Sequence, residues 1–252
     1  MKHSPHSLTE VRHSPYLVEM KPVVKLLTAV ALALVFVINT SFIDLRSDQF
    51  TFTGYFGNEL LVKDKNYFCA AKNDSISVST CRFYITEIML FEDGFLTGVY
   101  DGKLIDLFDT TSNRFYFGTY STGAITEIHF NLGVDSVHNV AGAGEGDFDP
   151  TKGMYWAWQS GFINLKLEGK SPVCTKSKGE FQYHLGGYRP PYNAIQKIVV
   201  KVPKDKGDFH LKVDVGKFFE LADMITTMYV MSPSLKSLEL SACAAQMFSL
   251  EK

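Results

Sequence analysis

The stretch "RFYITEIMLF", Arg82 to Phe91, decides the fold class. Apolar side chains recur in it at close to every second position, the period that puts one set of a strand's residues on a buried face. The pattern returns in "FTFTGYF" (Phe50–Phe56), "ITEIHFNL" (Ile125–Leu132), "FINLKLEG" (Phe162–Gly169) and "FQYHLG" (Phe181–Gly186). Two later runs, "IQKIVVKV" (Ile195–Val202) and "FHLKVDV" (Phe209–Val215), complete the set. Turn clusters separate these runs, and no repeat or long linker interrupts them. Short alternating strands at this spacing read as an antiparallel sandwich or barrel. Twenty Phe and twelve Tyr lean the same way, because aromatic rings suit a pleated, half-buried surface.

A helix is predicted to close the chain. Ser232 and Pro233 fit an N-cap and first helical position before "SLKSLELSACAAQMF". Leu235, Leu238, Ala242, Ala245 and Phe248 then share one face, which would pack on the sheet. "VGKFFELA" (Val215–Ala222) adds a helical turn or two. The expected fold class is all-β, an antiparallel β-sandwich with a C-terminal helix, in a single domain over residues 43–252.

Hydrophobic residues make up 46% of the chain and charged ones 21%, which suits a globular protein and argues against disorder. "LLTAVALALVFVI" (Leu26–Ile38) has no charge and follows the basic "MKPVVK" (Met20–Lys25). That length fits the apolar core of a signal peptide and is short for a membrane-spanning helix. Residues 20–42 are therefore read as a signal peptide, with an uncleaved membrane anchor through residues 22–41 as the alternative. Met20 is read as the true start, making residues 1–19 a misassigned or disordered extension. Export to the periplasm or cell surface follows. Without residues 1–41, 21 basic and 25 acidic side chains remain, a net charge of −4. A mildly acidic chain gives no electrostatic support to nucleic-acid binding.

Four cysteines, Cys69, Cys81, Cys174 and Cys243, lie in the exported part. An exported chain keeps disulfides, and four cysteines allow three pairings. Cys69 with Cys81, flanking "AAKNDSISVST", is the favoured pair, and Cys243 in the predicted helix is read as a buried thiol.

The chain has only two tryptophans, and both stand in "GMYWAWQSGF" (Gly153–Phe162). On a strand Trp156 and Trp158 would point to one face, as a core plug or as the wall of a pocket. "GAGEGDFDP" (Gly142–Pro150) offers Glu145, Asp147 and Asp149 as oxygen ligands for calcium. A solvated turn is the favoured reading there, since the EF-hand pattern is missing. His129 and His210 lie in alternating strands and are read as structural or surface residues. There is no G-x-S-x-G, H-E-x-x-H or phosphate-binding glycine loop, and no C-x-x-C-H to attach haem. A binding protein is expected rather than an enzyme.

The wider stretch "DPTKGMYWAWQSGFINLKLEG" (Asp149–Gly169) resembles the signature of the copper-binding MbnP-like family, first associated with methanobactin operons. Shorter stretches agree in order: "FYITEIML" (Phe83–Leu90), "LGVD" (Leu132–Asp135), "FQYHLGG" (Phe181–Gly187) and "MSPS" (Met231–Ser234). The resemblance implies an exported β-sandwich that is not itself an enzyme. It implies a tryptophan oxidised to kynurenine by a partner, a dihaem c-type cytochrome similar to cytochrome c peroxidases. The kynurenine then binds copper together with histidine. His184, in "YHLGG", matches the family's histidine at this place. Relatives carry an Asn-His pair shortly before the tryptophan motif; here Asn139 is followed by Val140, and His138 stands before the asparagine instead. The metal-site candidates are thus His184, His138, Trp156 and Trp158. The alternative is a metal-free β-sandwich binding or adhesion module on the cell surface, with the tryptophans as core.

The chemistry behind the resemblance stands without it. An indole nitrogen only donates hydrogen bonds, so tryptophan is a poor metal ligand. Opening its pyrrole ring produces an aryl amine and a ketone with available lone pairs. Beside an imidazole, such a group makes a nitrogen-rich site suited to copper.

Overall fold

A computed structural model describes residues 47–119, 125–158, 161–203 and 208–251. The expected signal peptide or anchor (20–42) and the extension before it lie outside the described residues.

The chain opens with β1 (Ser47–Phe56) and β2 (Glu59–Leu60), then β3 (Asn66–Cys69) hairpins into β4 (Asp74–Glu92). β5 (Phe95–Tyr100), β6 (Lys103–Asp106), β7 (Arg114–Thr119) and β8 (Glu127–Leu132) lead to the short helix α1 (Ser136–Ala141). After two single turns of 3-10 helix come β9 (Tyr155–Trp156), β10 (Gly161–Lys170) and β11 (Glu180–Gly186). A small hairpin of β12 (Tyr188–Arg189) and β13 (Tyr192–Asn193) precedes β14 (Gln196–Lys201) and β15 (Asp208–Asp214). The chain closes with α2 (Val215–Leu221), β16 (Tyr229–Val230), α3 (Leu235–Ala245) and β17 (Phe248–Leu250).

Two sheets face each other. The smaller runs β17-β15-β1-β2 with β7 also on β1; the larger runs β14-β8-β4-β10-β11-β16 and carries β3, β5, β6 and β9 on its flanks. Aromatic rings join the layers. Phe52 of β1 meets Phe83 of β4 and Phe130 of β8 edge-on at 5.7 and 6.0 Å, and Phe248 of β17 meets the same two rings. Each such ring removed from water contributes roughly 1.5–3 kcal/mol. The expected β-sandwich with a C-terminal helix is the observed architecture. Not every pairing is antiparallel: β1 runs parallel to β15, and β11 parallel to β16.

The nineteen-residue β4 is the spine of the larger sheet. One of its edges pairs with β3, β6 and β5 in turn, the other with β10 and then β8. The partner changes at a bulge. Glu87 has φ +48°, and the register to β8 shifts between Thr86 and Met89. The extra residue moves the core-facing set from Phe83 and Ile85 to Ile88 and Leu90, so both halves of the strand serve one core.

Helix α3 departs from expectation. Its N-cap is Ser234, whose hydroxyl accepts from the Ser237 amide, and its buried face is Ser237, Leu240, Ser241 and Ala244. Leu235 is exposed, and Phe248 belongs to β17. Two buried serines make this face hard to recognise as apolar. Their small size lets the helix approach β11, where the Ser237 hydroxyl bonds both the amide and the carbonyl of Gly186 at 3.0 Å.

The cysteine expectation is corrected as well. All four cysteines are free. Cys69 pairs across the hairpin with Asp74, and Cys81 lies seven residues further along β4. At about 3.3 Å per residue that is a gap on the order of 20 Å, far beyond the reach of a disulfide.

Two outcomes follow. Protein unfolded without reductant will react with thiol reagent at all four cysteines, and a blocked Cys69–Cys81 pair contradicts the packing of β3 on β4. At the bulge, Glu87→Val will be less stable than Glu87→Gly by about 1–2 kcal/mol in urea denaturation, because left-handed backbone penalises a branched side chain. Equal midpoints would mean that Glu87 does not hold this conformation.

Candidate metal centre

The candidate residues gather on the outer face of the larger sheet. Tyr183 and Leu185 of β11 belong to the interlayer core, so His184 and Gly186 between and beyond them face outward. On β4, Phe83 and Ile85 face the interlayer core, and Tyr84 between them belongs to a second apolar cluster. That cluster also holds Val134, Met154, Trp156, Phe162 and Ile163.

Trp156 is placed by two contacts. Its backbone pairs with Gly161 at the start of β10. Its indole lies against Gly186, where an added Cβ would stand 2.7 Å from Cζ3 and 2.9 Å from Cη2. Gly186 therefore makes room for the ring. The next residue, Gly187, has φ +121° and lies so close to the Tyr192 carbonyl that a Cβ would be 2.1 Å away. The two glycines of "HLGG" thus do separate tasks: one admits the indole and the other folds back the β12–β13 hairpin. A cavity of about 210 Å³ opens beside Trp156, walled by Tyr188, Arg189, Pro190, Tyr192 and Pro233.

Trp158 differs from the strand expectation. β9 ends at Trp156, and Trp158 stands in the following turn, 69% exposed, whereas Trp156 is 6% exposed. Their rings are nevertheless neighbours, with centroids 6.1 Å apart and planes inclined by 48°.

His184 is almost wholly buried, and its Nε2 lies 2.7 Å from Glu168 Oε1 on β10. Burial pushes its pKa below the ordinary 6.5; the Glu168 hydrogen bond pulls it back up, while Lys166 adds to the depression. Burial would raise the Glu168 pKa, but hydrogen bonds with His184 and Thr80 and the charge of Lys166 hold it low. A neutral imidazole facing an ionised carboxylate donates through Nε2, which leaves the lone pair on Nδ1. Carboxylate support of this kind orients a metal-binding histidine and raises its basicity.

His138 is held differently. The segment containing it is helix α1 rather than a strand, so His138 and Val140 are separated by roughly 200° around the axis. Asp135 caps the helix by accepting from the His138 amide at 2.9 Å. The imidazole has Nδ1 2.7 Å from Asp135 and Nε2 2.9 Å from Asp101, and its ring stacks on Phe148 at 4.4 Å. Both ring nitrogens face carboxylates, and Val140 is exposed. Among the described residues, no group of three or more His, Cys, Asp or Glu is arranged to hold a metal ion.

Asn139 was legible only as a neighbour of the missing histidine, and it is the anchor of α1. It is buried, donates to the carbonyls of Val134 and Asp135, and accepts from the Phe162 amide at 3.1 Å. It thereby fixes the helix to β10 next to the residue that pairs with Trp156. The available signal was a polar side chain in a short segment that opens on Asp135, a helix-capping residue type.

The carboxylates read as a calcium alternative have local partners. Asp147 accepts from the Leu104 amide and the Lys152 amine, and Asp149 caps a 3-10 turn through the Thr151 amide. His129 pairs with Glu127 and packs on Phe91, and His210 is exposed on β15.

The profile of the MbnP family matches residues 46–233. Among solved structures, MbnP from Methylosinus trichosporium superposes with a TM-score of 0.51 at 14% identity, over 71% of this chain and 78% of that one. At that identity the likeness is one of fold. No curated protein matches this chain. With three quarters of its length matched in sequence and the same fold in space, the chain belongs to the MbnP family.

Proposed function

We propose that this chain is an exported copper-binding protein of the periplasm or cell surface, methanobactin-related through its family. Its ligands are His184 and an aromatic amine made from Trp156 by oxidation to kynurenine, carried out by a dihaem c-type cytochrome peroxidase-like partner. The chain itself is a binder and not an enzyme. The observation that carries this reading is the placement of Trp156 over Gly186, two residues along the same outward face from His184.

The donor chemistry fits. His184 is supplied neutral, with its Nε2 occupied by Glu168 and its Nδ1 lone pair available. The indole of Trp156 offers no lone pair until its pyrrole ring is opened, and the cavity beside it gives the altered ring room to reorient. Between the two tryptophans, Trp156 is the one that meets these conditions. His138, with both nitrogens on carboxylates, joins the ligand set only by leaving Asp101 or Asp135.

That same observation favours a second reading, a β-sandwich binding or adhesion module that keeps the fold without the metal. The two separate on one experiment. Protein co-produced with its dihaem partner is expected to show Trp156 converted to kynurenine by peptide mass and to take up copper. His184→Ala will keep its thermal midpoint within a few degrees and lose most of that copper. Unmodified tryptophan with no copper uptake would establish the metal-free module.

The titration of His184 adds a pH dependence. Its pKa is depressed below 6.5, so copper affinity will hold level from neutral pH down through that value and fall only in more acid solution. Competition titrations against a chelator across this range measure it. A loss of affinity already complete near neutral pH would mean that His184 is not the ligand.

A further inference from the structure

Trp158 has no part in copper binding as proposed above, yet it is the more conspicuous of the two tryptophans. It presents most of its indole to solvent from a turn, at a position where packing demands nothing of it. Its ring is in contact range of Trp156, at 6.1 Å between centroids. Trp156 itself is closed in by Gly186 beneath and the cavity wall beside it. A redox centre held in another protein therefore faces that ring across a gap, which an exposed, readily oxidised side chain in contact with Trp156 would bridge.

Few groups can serve. Tyr155 packs edge-on against Phe162, in the second apolar cluster. Tyr188 lines the cavity, but the Arg189 guanidinium sits 4.8 Å from its ring centroid and opposes a positive charge on it. Trp158 combines exposure, contact with Trp156 and the readily oxidised indole.

We propose that Trp158 is the electron relay through which an external one-electron acceptor oxidises the buried Trp156. This rests on the reading that Trp156 is the residue modified. In each transfer, Trp158 gives one electron to the acceptor, a peroxide-oxidised haem of the partner, and regains one from Trp156, so it returns unchanged. Trp156 and two waters, which supply the oxygens, together lose four electrons and four protons. The bond between C2 and C3 of the indole breaks, two oxygens are added, and N-formylkynurenine results. Hydrolysis then releases formate and leaves kynurenine. Two molecules of hydrogen peroxide take up the four electrons and four protons and become four waters.

The experiment compares wild type, Trp158→Phe, Trp158→Tyr and, as a control on an exposed ring far from the site, Tyr116→Phe on β7, each checked for an unchanged thermal midpoint. In one arm the acceptor is the dihaem partner with hydrogen peroxide. In the other it is a photo-generated metal-complex oxidant with no docking requirement, too bulky to enter the cavity. Oxidation at each tryptophan is read by peptide mass. Trp158→Phe is expected to slow oxidation of Trp156 at least tenfold in both arms. Trp158→Tyr will restore much of the rate because a phenol can relay, and Tyr116→Phe will behave as wild type. Equal rates for Trp158→Phe and wild type, or kynurenine at position 158 itself, overturn the relay. No modification of wild type by the partner overturns the functional reading alone, since the photo-oxidant arm still decides whether Trp158 carries electrons from Trp156.

Discussion

The candidate centre depends on the absence of a side chain at Gly186. One surface of that residue accepts the Trp156 indole, and its backbone amide and carbonyl, turned to the open edge of β11, are both bonded by Ser237. A Cβ there would meet the Phe162 carbonyl at 2.6 Å as well as the indole. Three elements, β9, β10 and α3, thus meet at one glycine, and none can shift without disturbing the others. Because interiors are packed as densely as organic crystals, such a point has no slack to absorb even one methyl group.

From that point the site extends by polar anchors rather than by apolar bulk. Asn139 ties α1 to β10, Asp135 caps the same helix and holds His138, and Glu168 fixes the His184 ring. Each is a buried or half-buried polar group with its partners present, the condition under which such groups specify one arrangement instead of weakening it. The consequence for chemistry is unequal. Glu168 engages one nitrogen of His184 and leaves the other, whereas Asp135 and Asp101 engage both nitrogens of His138.

How much of this was legible in the sequence follows the physics of each element. Alternation in the long strands gave the sandwich, since burying one face imposes a period of two. The parity change from Phe83 and Ile85 to Ile88 and Leu90 was also present in "RFYITEIMLF", but a bulge is a backbone event and Glu87 is not a residue that announces left-handed φ. Helix α3 was found and its face misjudged, because Ser237 and Ser241 are buried for closeness and hydrogen bonding, not for hydrophobicity. The Cys69–Cys81 pairing failed for a similar reason: proximity in sequence says nothing about register along a nineteen-residue strand. At the site, "HLGG" and "WAW" come together in the fold, with Trp156 against Gly186. What they could not convey was that the first glycine belongs to the tryptophan and that the two indoles have opposite exposure.

That difference in exposure bears on when the proposed tryptophan chemistry could take place. The Trp156 ring fills a place shaped by Gly186, so the chain folds around an indole rather than around an opened ring bearing an amine and a ketone. Those polar groups would be costly in the apolar cluster of Tyr84, Val134 and Met154 unless they found partners. Beside the ring, however, lies the cavity walled by Tyr188, Arg189 and Tyr192. A ring opened after folding can turn its new donors and acceptors into that space while its hydrocarbon part stays on Gly186. Modification after folding is therefore compatible with the packing, whereas an opened ring present beforehand would compete with it. The proposed relay at the surface suits the same order of events, because the finished fold leaves Trp158, and not the Trp156 ring, open to an approaching partner.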